Sequence, residues 1–260
     1  MKTENIKIIP EWRKSKVEIW NEIFSDVDSV ETISKVRRHY FWKYAAAAVI
    51  ALIITGISFA YLYTRTETVA SGNHLSVHLP DGSNVKLNAE SEIKYKPFRW
   101  FVLREVTLKG EACFEVTQGK RFTVKSGQNQ VRVLGTSFNV FARAEKYSVT
   151  CLTGKVEVMT NLENIILTPN MQATWRNGVM QVVEIADVAQ SIGWTQNKFI
   201  FIGVPLTEVV KEIERQYGIR VTTSSNLDHL YTGNFSKSNA PEEILQIIGK
   251  PFGITFNIHK

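Results

Sequence analysis

Residues Tyr44–Tyr63 read YAAAAVIALIITGISFAYLY, twenty residues without a charge. A helix of that length rises about 30 Å, the thickness of a bilayer's hydrocarbon core. Only Thr55 and Ser58 are polar, and each can bond back to a carbonyl one turn earlier. Tyr40, Phe41, Trp42 and Tyr44 stand at one end and Tyr61 and Tyr63 at the other, the placement that membrane–water interfaces favour. A buried helix of a soluble core rarely runs so long without a charge. A cleaved leader ending near Ser58-Phe59-Ala60 would not carry a long charged segment in front of so long an apolar run. The sequence therefore predicts one transmembrane helix over 44–63. Lys35, Arg37, Arg38 and Lys43 precede it and only Arg65 closely follows, so the positive-inside rule puts the N-terminus in the cytoplasm and residues 64–260 outside it.

The rest of the 260 residues divides around that span. The expected parts are a helical arm (1–43), the span (44–63), a linker (64–72), an all-β domain (73–190) and a small α+β domain (194–260). The formal charge of +6 is spread thinly: nine Lys/Arg face seven Asp/Glu in residues 1–44, and 22 face 18 in residues 64–260. No block is basic enough to read as a nucleic-acid surface. Two cysteines can build neither a disulfide framework nor a four-cysteine zinc site.

In the arm, Trp12, Val17, Trp20, Phe24 and Val27 recur at spacings of three to five, widened by Ile19 and Ile23, with Glu18, Glu22 and Asp26 opposite. That is the stripe of an amphipathic helix. An arm this short cannot bury the stripe against itself, so it needs lipid or a partner groove. The acidic polar face suits a protein groove better, with Trp12, Trp20 and Phe24 as the candidate anchors.

From Leu75 to about Glu184 the hydrophobic period is two. Short alternating runs such as LSVHL (75–79), REVTLK (104–109), EACFEV (111–116) and NQVRVL (129–134) are separated by turns such as Pro80–Ser83 and Lys109-Gly110. This predicts a sandwich or a stacked-strand solenoid. His74 and His78 share a strand face near Asp81, but with no further ligand pattern they read as solvent-facing histidines. Cys113 shares parity with Glu111 and Glu115, and Cys151 with Tyr147 and Val149. One cysteine thus falls on a polar face and the other on an apolar face, which argues against a bridge. No nucleophile elbow, phosphate loop or dinucleotide fingerprint occurs, so the chain reads as no enzyme and needs no cofactor or metal.

After Trp194 the pattern becomes β-α-β, β-α-β. Strands are expected over 198–203, 219–223, 229–236 and 254–260. The first helix opens at Pro205, carries Leu206, Val209, Val210 and Ile213 as its core stripe, and ends at Gly218. Asn239 with Glu242 suggests the cap of a second helix, whose apolar face is Ile244, Leu245, Ile247 and Ile248. Two helices on one small sheet would leave a sheet face or edge for a partner strand.

LPDGSNVKLNAESEIKY (79–95), VTLKGEACFEV (106–116), VRVLGTSFNVFA (131–142), VTCLTGKVEV (149–158) and ILTPNMQATW (166–175) together resemble the FecR family of membrane-spanning sigma-factor regulators. FIFIGVPLTEVVKEIERQYGIRV and YTGNFSKSNAPEEIL resemble the C-terminal domain of its Bacteroides-type branch, similar to the short domain of secretins and TonB-dependent receptors. The likeness marks Gly110, Phe114, Gly135, Phe138 and Gly154 as structural positions. It implies an inner-membrane, single-pass anti-sigma factor with residues 64–260 in the periplasm. The arm would hold an extracytoplasmic-function sigma factor, and the outer part would sense the N-terminal signalling domain of a TonB-dependent outer-membrane transporter. The ligand would be an iron chelate or a glycan. Members of this branch usually have a longer, multi-helix arm that opens with an acidic, Leu- and Glu-rich helix, so the sigma-binding role rests here on the Val17–Phe24 segment. The competing reading is a membrane-anchored periplasmic binding or scaffold module whose arm is disposable.

Overall fold

Helix α1 (Lys16–Phe24) starts where Ser15 and Glu18 cap each other: the Glu18 amide donates to Ser15 Oγ (3.2 Å) and the Ser15 amide to the Glu18 carboxylate (2.8 Å). The structure, a computed structural model, describes residues 13–25, 36–144, 146–176 and 179–259. Helix α2 (Val36–Leu62) contains a stretch, Phe41–Leu62, long and apolar enough to cross a membrane. Thr55 returns its hydroxyl to the carbonyls of Ala51 and Leu52 (2.9 and 3.0 Å), so its polar group is satisfied within the helix.

Thirteen strands follow among the described residues. They are β1 (Arg65–Val69), β2 (Leu75–His78), β3 (Asn84–Leu87), β4 (Ser91–Tyr95), β5 (Arg104–Glu115), β6 (Phe122–Ser126), β7 (Asn129–Val133), β8 (Ser137–Arg143), β9 (Lys146–Thr153), β10 (Val156–Met159), β11 (Asn164–Leu167), β12 (Met171–Arg176) and β13 (Val179–Glu184). One layer runs β1-β4-β5-β6-β7-β10-β11 and the other β2-β3-β5-β8-β9-β12-β13. Every pairing is antiparallel except β5 with β6. Both layers feed one core that includes Leu87, Ile93, Phe114, Phe122, Phe138 and Val158. Phe114 of one layer meets Phe122 of the other edge-on at 6.1 Å. Of the two β architectures expected, this is the sandwich.

Strand β5 belongs to both layers. Arg104–Lys109 pair with β4 and β6, and Gly110–Glu115 pair with β8. The turn expected at Lys109-Gly110 is instead a bend inside one strand. Gly110 has φ +97°, and a Cβ there would lie 2.4 Å from Ser91 Oγ and 2.7 Å from Ser91 Cα, so only glycine fits. The expected linker 64–72 is also corrected, because Arg65–Val69 pair with Tyr95–Ser91 as β1. Strands β4 and β13 were not anticipated by alternation either.

The closing region contains α3 (Ala189–Ile192), β14 (Lys198–Pro205), α4 (Leu206–Tyr217), β15 (Arg220–Thr222), β16 (Leu230–Ser236), α5 (Pro241–Gly249) and β17 (Asn257–His259). The order is β-α-β, β-α-β, but β14 pairs with β16 and β15 with β17, both antiparallel. Two ribbons therefore stand where one sheet was expected. Leu206, Val209, Val210 and Ile213 are buried with Tyr231, Ile244, Leu245 and Ile248. Gly218 ends α4 in the left-handed conformation, φ +67°. Asn239 does not cap α5: Ala240 holds the cap position without a side-chain bond, because Pro241 fixes the first helical residue. Ile247 is exposed rather than part of the buried face.

Candidate functional site

Two places gather groups that the fold alone does not explain. The first is α1. Val17, Trp20, Ile23 and Phe24 are all exposed, and the rings of Trp20 and Phe24 lie 4.3 Å apart. The polar side carries an ion pair, Lys14 to Glu22 at 2.7 Å. A nine-residue helix in isolation is marginal in water, so a capped helix with an uncovered aromatic face is shaped for something that covers it. Trp12 and Val27 lie outside the described residues.

The second place is a polar seam where α4 meets the sandwich. Gln216 is wholly buried on α4, one turn beyond Ile213. Its Nε2 donates to Asn88 Oδ1 (2.7 Å) and Glu212 Oε1 (2.8 Å), and its Oε1 faces His74 Nε2 at 2.9 Å. Asn88 and Asn139 in turn donate to the two carboxylate oxygens of Glu111 (2.8 and 2.9 Å). Around this line, the Ser71 hydroxyl and the Gly72 amide donate to the Arg215 carbonyl (3.0 and 2.8 Å), closing the end of α4. Lys146 pairs with Glu208 at 2.8 Å, and Arg215 with Glu90 at 3.2 Å. An apolar plug of Cys113, Trp194 and Phe199 seals the same layer beside it.

Two readings are corrected here. His74 is not solvent-facing: its ring is half-buried, bonded to Gln216 and edge-on to Trp194 at 5.4 Å. His78 is exposed. Cys113 is not on a wetted polar face but buried under Trp194 and Phe199, while Cys151 lies in the sandwich core. Both thiols are free. The alternation gave the opposite faces rightly. It could not reveal that a second region covers the outward one. Of the positions singled out by resemblance, Phe114 and Phe138 stack in the core at 5.0 Å, Gly110 makes the bend, Gly135 lies between β7 and β8, and Gly154 between β9 and β10.

Burial pushes the Glu111 carboxyl up to about 7, helped by the charge of Glu212 and opposed by the amide donors of Asn139 and Asn88 and by the Arg143 charge. The unfolded chain releases this proton near the ordinary value of 4.5, and the folded chain keeps it until about 7. Stability contributed by the protonated carboxyl is therefore complete below pH 4.5 and is lost as pH rises through about 7. At roughly 1.4 kcal/mol per unit the loss is about 3 kcal/mol. Asn139 Oδ1 has no partner among the described residues, so an amide at position 111 has an acceptor within reach if Asn139 turns over. We expect Glu111→Gln to melt higher than the parent at pH 8 and to lie close to it at pH 5, in thermal unfolding of the full chain. Comparing the two proteins isolates this group from His74, whose half-buried ring, lowered by burial, acts in the opposite sense.

Sequence reasoning missed Glu111, Asn88, Asn139 and Gln216. One signal was available: Gln216 is a polar residue sitting on the apolar stripe of α4.

Comparison with known proteins follows the same division of the chain. The family described as FecR protein matches residues 65–157, and the family described as FecR, C-terminal, matches residues 198–260. Two crystal structures of candidate anti-sigma factors from Parabacteroides distasonis ATCC 8503, at 2.50 and 1.65 Å resolution, are similar to it, with TM-scores of 0.69 and 0.67. Both are 30% identical, over 76% and 75% of this chain and 96% and 99% of theirs. No protein of curated function matches.

Proposed function

The chain belongs to the FecR family, and we propose that it is an anti-sigma factor: a single-pass protein of the inner membrane whose N-terminal arm holds an extracytoplasmic-function sigma factor in the cytoplasm. The observation that carries this reading is the uncovered aromatic face of α1 on one side of the apolar span, with the paired FecR segments on the other. Lipid could cover such a face, but Glu18 and Glu22 give α1 an acidic polar side, whereas interfacial helices carry Lys and Arg there. The work is protein–protein recognition with no catalytic step.

On the other side of the membrane, the N-terminal signalling domain of a TonB-dependent transporter is the proposed partner. The ribbons of the closing region are two strands wide, so each strand has an edge on which a partner strand can add. A change in that contact would be passed to the arm through α2 or by cleavage of the chain, releasing the sigma factor. Deleting residues 1–30 should change transcription of the adjacent transport operon. Unchanged transcription, with the truncated protein present in membranes, would instead support a scaffold with a disposable arm.

A further inference from the structure

Strand β4 ends at Tyr95 and β5 begins at Arg104, leaving eight residues, KPFRWFVL, between two antiparallel neighbours. The root of this loop is fixed. Trp100 is buried and meets Tyr95 and Phe122 edge-on at 5.7 and 5.9 Å. The amides of Val102 and Leu103 both donate to the Arg99 carbonyl, at 3.0 and 2.9 Å. Held this way, the loop turns outward what a soluble loop would hide: Phe98 is 62% exposed, Phe101 and Val102 86%, and Leu103 42%. Four large apolar side chains side by side on a rigid turn mark an interaction site rather than stray surface.

The neighbours of the loop indicate what covers it. Tyr63, the residue just past α2, packs against Phe98 at 5.7 Å, and the Arg99 guanidinium lies 4.2 Å over the ring of Tyr61. These two tyrosines are the aromatic end of the apolar span, so the loop sits at the level where that span leaves the bilayer. Cations gather at the same end. Lys96 and Arg99 are in the loop, and Lys120 and Arg121 directly precede Phe122, which pairs with Arg104. Such charges suit phosphate headgroups.

We propose that Phe98, Phe101, Val102 and Leu103 insert into the leaflet at which α2 ends, so that the sandwich is seated on the membrane by loop and helix together. The proposal rests on the reading that α2 spans a membrane. Its consequence is mechanical: a sandwich attached at two points moves with the helix instead of swivelling on the single link at Tyr63–Thr64.

The test uses the full chain in nanodiscs of phosphatidylcholine and phosphatidylglycerol, with an environment-sensitive fluorophore on one introduced cysteine at a time. Cys113 and Cys151 are buried, and burial pushes their thiols up to about 12 and about 11, so they react slowly. Three variants are compared: Phe101→Cys in the loop, Leu52→Cys within the span, and Leu162→Cys, which is 75% exposed in its parent residue. Leu162 lies at the opposite end of the same layer, where Asn161 bonds Gln128 beyond the far end of β6. Lipids carrying a quencher just below the headgroup should extinguish the Phe101→Cys probe and leave Leu162→Cys bright, while a quencher deep in the acyl chains extinguishes Leu52→Cys. If Leu52→Cys is quenched and Phe101→Cys stays bright, the loop does not enter lipid and its apolar face belongs to a protein or a second copy. If Leu52→Cys itself stays bright, the spanning reading fails and the docking proposal falls with it.

Discussion

Replacing Trp20 with Asp should weaken sigma-factor binding at least about thirty-fold, the equivalent of about 2 kcal/mol at an aromatic hot spot. The direction follows from the geometry of α1. Trp20 is 64% exposed and touches Phe24, so nothing within the described residues covers the pair, and a groove that does would have to desolvate a charge in the variant. Membrane insertion should not change, because position 20 lies 21 residues before the start of the apolar stretch Phe41–Leu62. Binding is read with the purified sigma factor and the full chain in detergent, and insertion by carbonate extraction of membranes. Equal affinity in parent and variant would remove α1 from the contact.

The second large effect lies in the sandwich. Phe114 is wholly buried, stacked on Phe138 at 5.0 Å and edge-on to Phe122 in the other layer. Phe114→Ala should cost about 3–5 kcal/mol, from lost transfer energy and the cavity left behind. A domain with roughly 5–15 kcal/mol to lose would then be close to unfolding. Phe101→Ala, which removes the same side chain from an exposed position, should stay within about 0.5 kcal/mol. Thermal unfolding of the full chain compares the two. Similar melting temperatures would mean that the layers do not share the core described.

The apolar span was legible because a bilayer tolerates no interruption: twenty uncharged residues admit few other readings. Much of the sandwich was legible for a related reason, since each strand has one face on the core and alternates accordingly. Of the three strands that escaped, β4 does alternate, with Ser91, Ile93 and Tyr95 buried, whereas in β1 and β13 alternation says little. In β1, RTETV, only Val69 is buried, and β13, VMQVVE, has Met180 as its one buried residue. Gly110 was visible but misread: the same left-handed freedom that makes a turn here bends one strand across two layers.

The seam was hidden for a different cause. Alternation assigns a residue to one side of a sheet, and sequence alone then equates the outer side with water. Here a second region covers that side, so Cys113 becomes part of a plug, His74 bonds Gln216, and Glu111 is buried between two asparagines. Spacing within one strand cannot report a surface supplied more than a hundred residues later in the chain, as Gln216 is to Asn88. Only the polar break in the stripe of α4 pointed that way.

Whether the arm holds a sigma factor is decided by purifying the chain from mildly solubilised membranes through a tag on its C-terminus and identifying by mass spectrometry what comes with it. An extracytoplasmic-function sigma factor is expected with the parent protein, and its loss with Trp20→Asp while the amount of chain recovered is unchanged. Recovery of intact chain from the parent strain with no sigma factor, under conditions where that factor is expressed, would contradict that role of the arm.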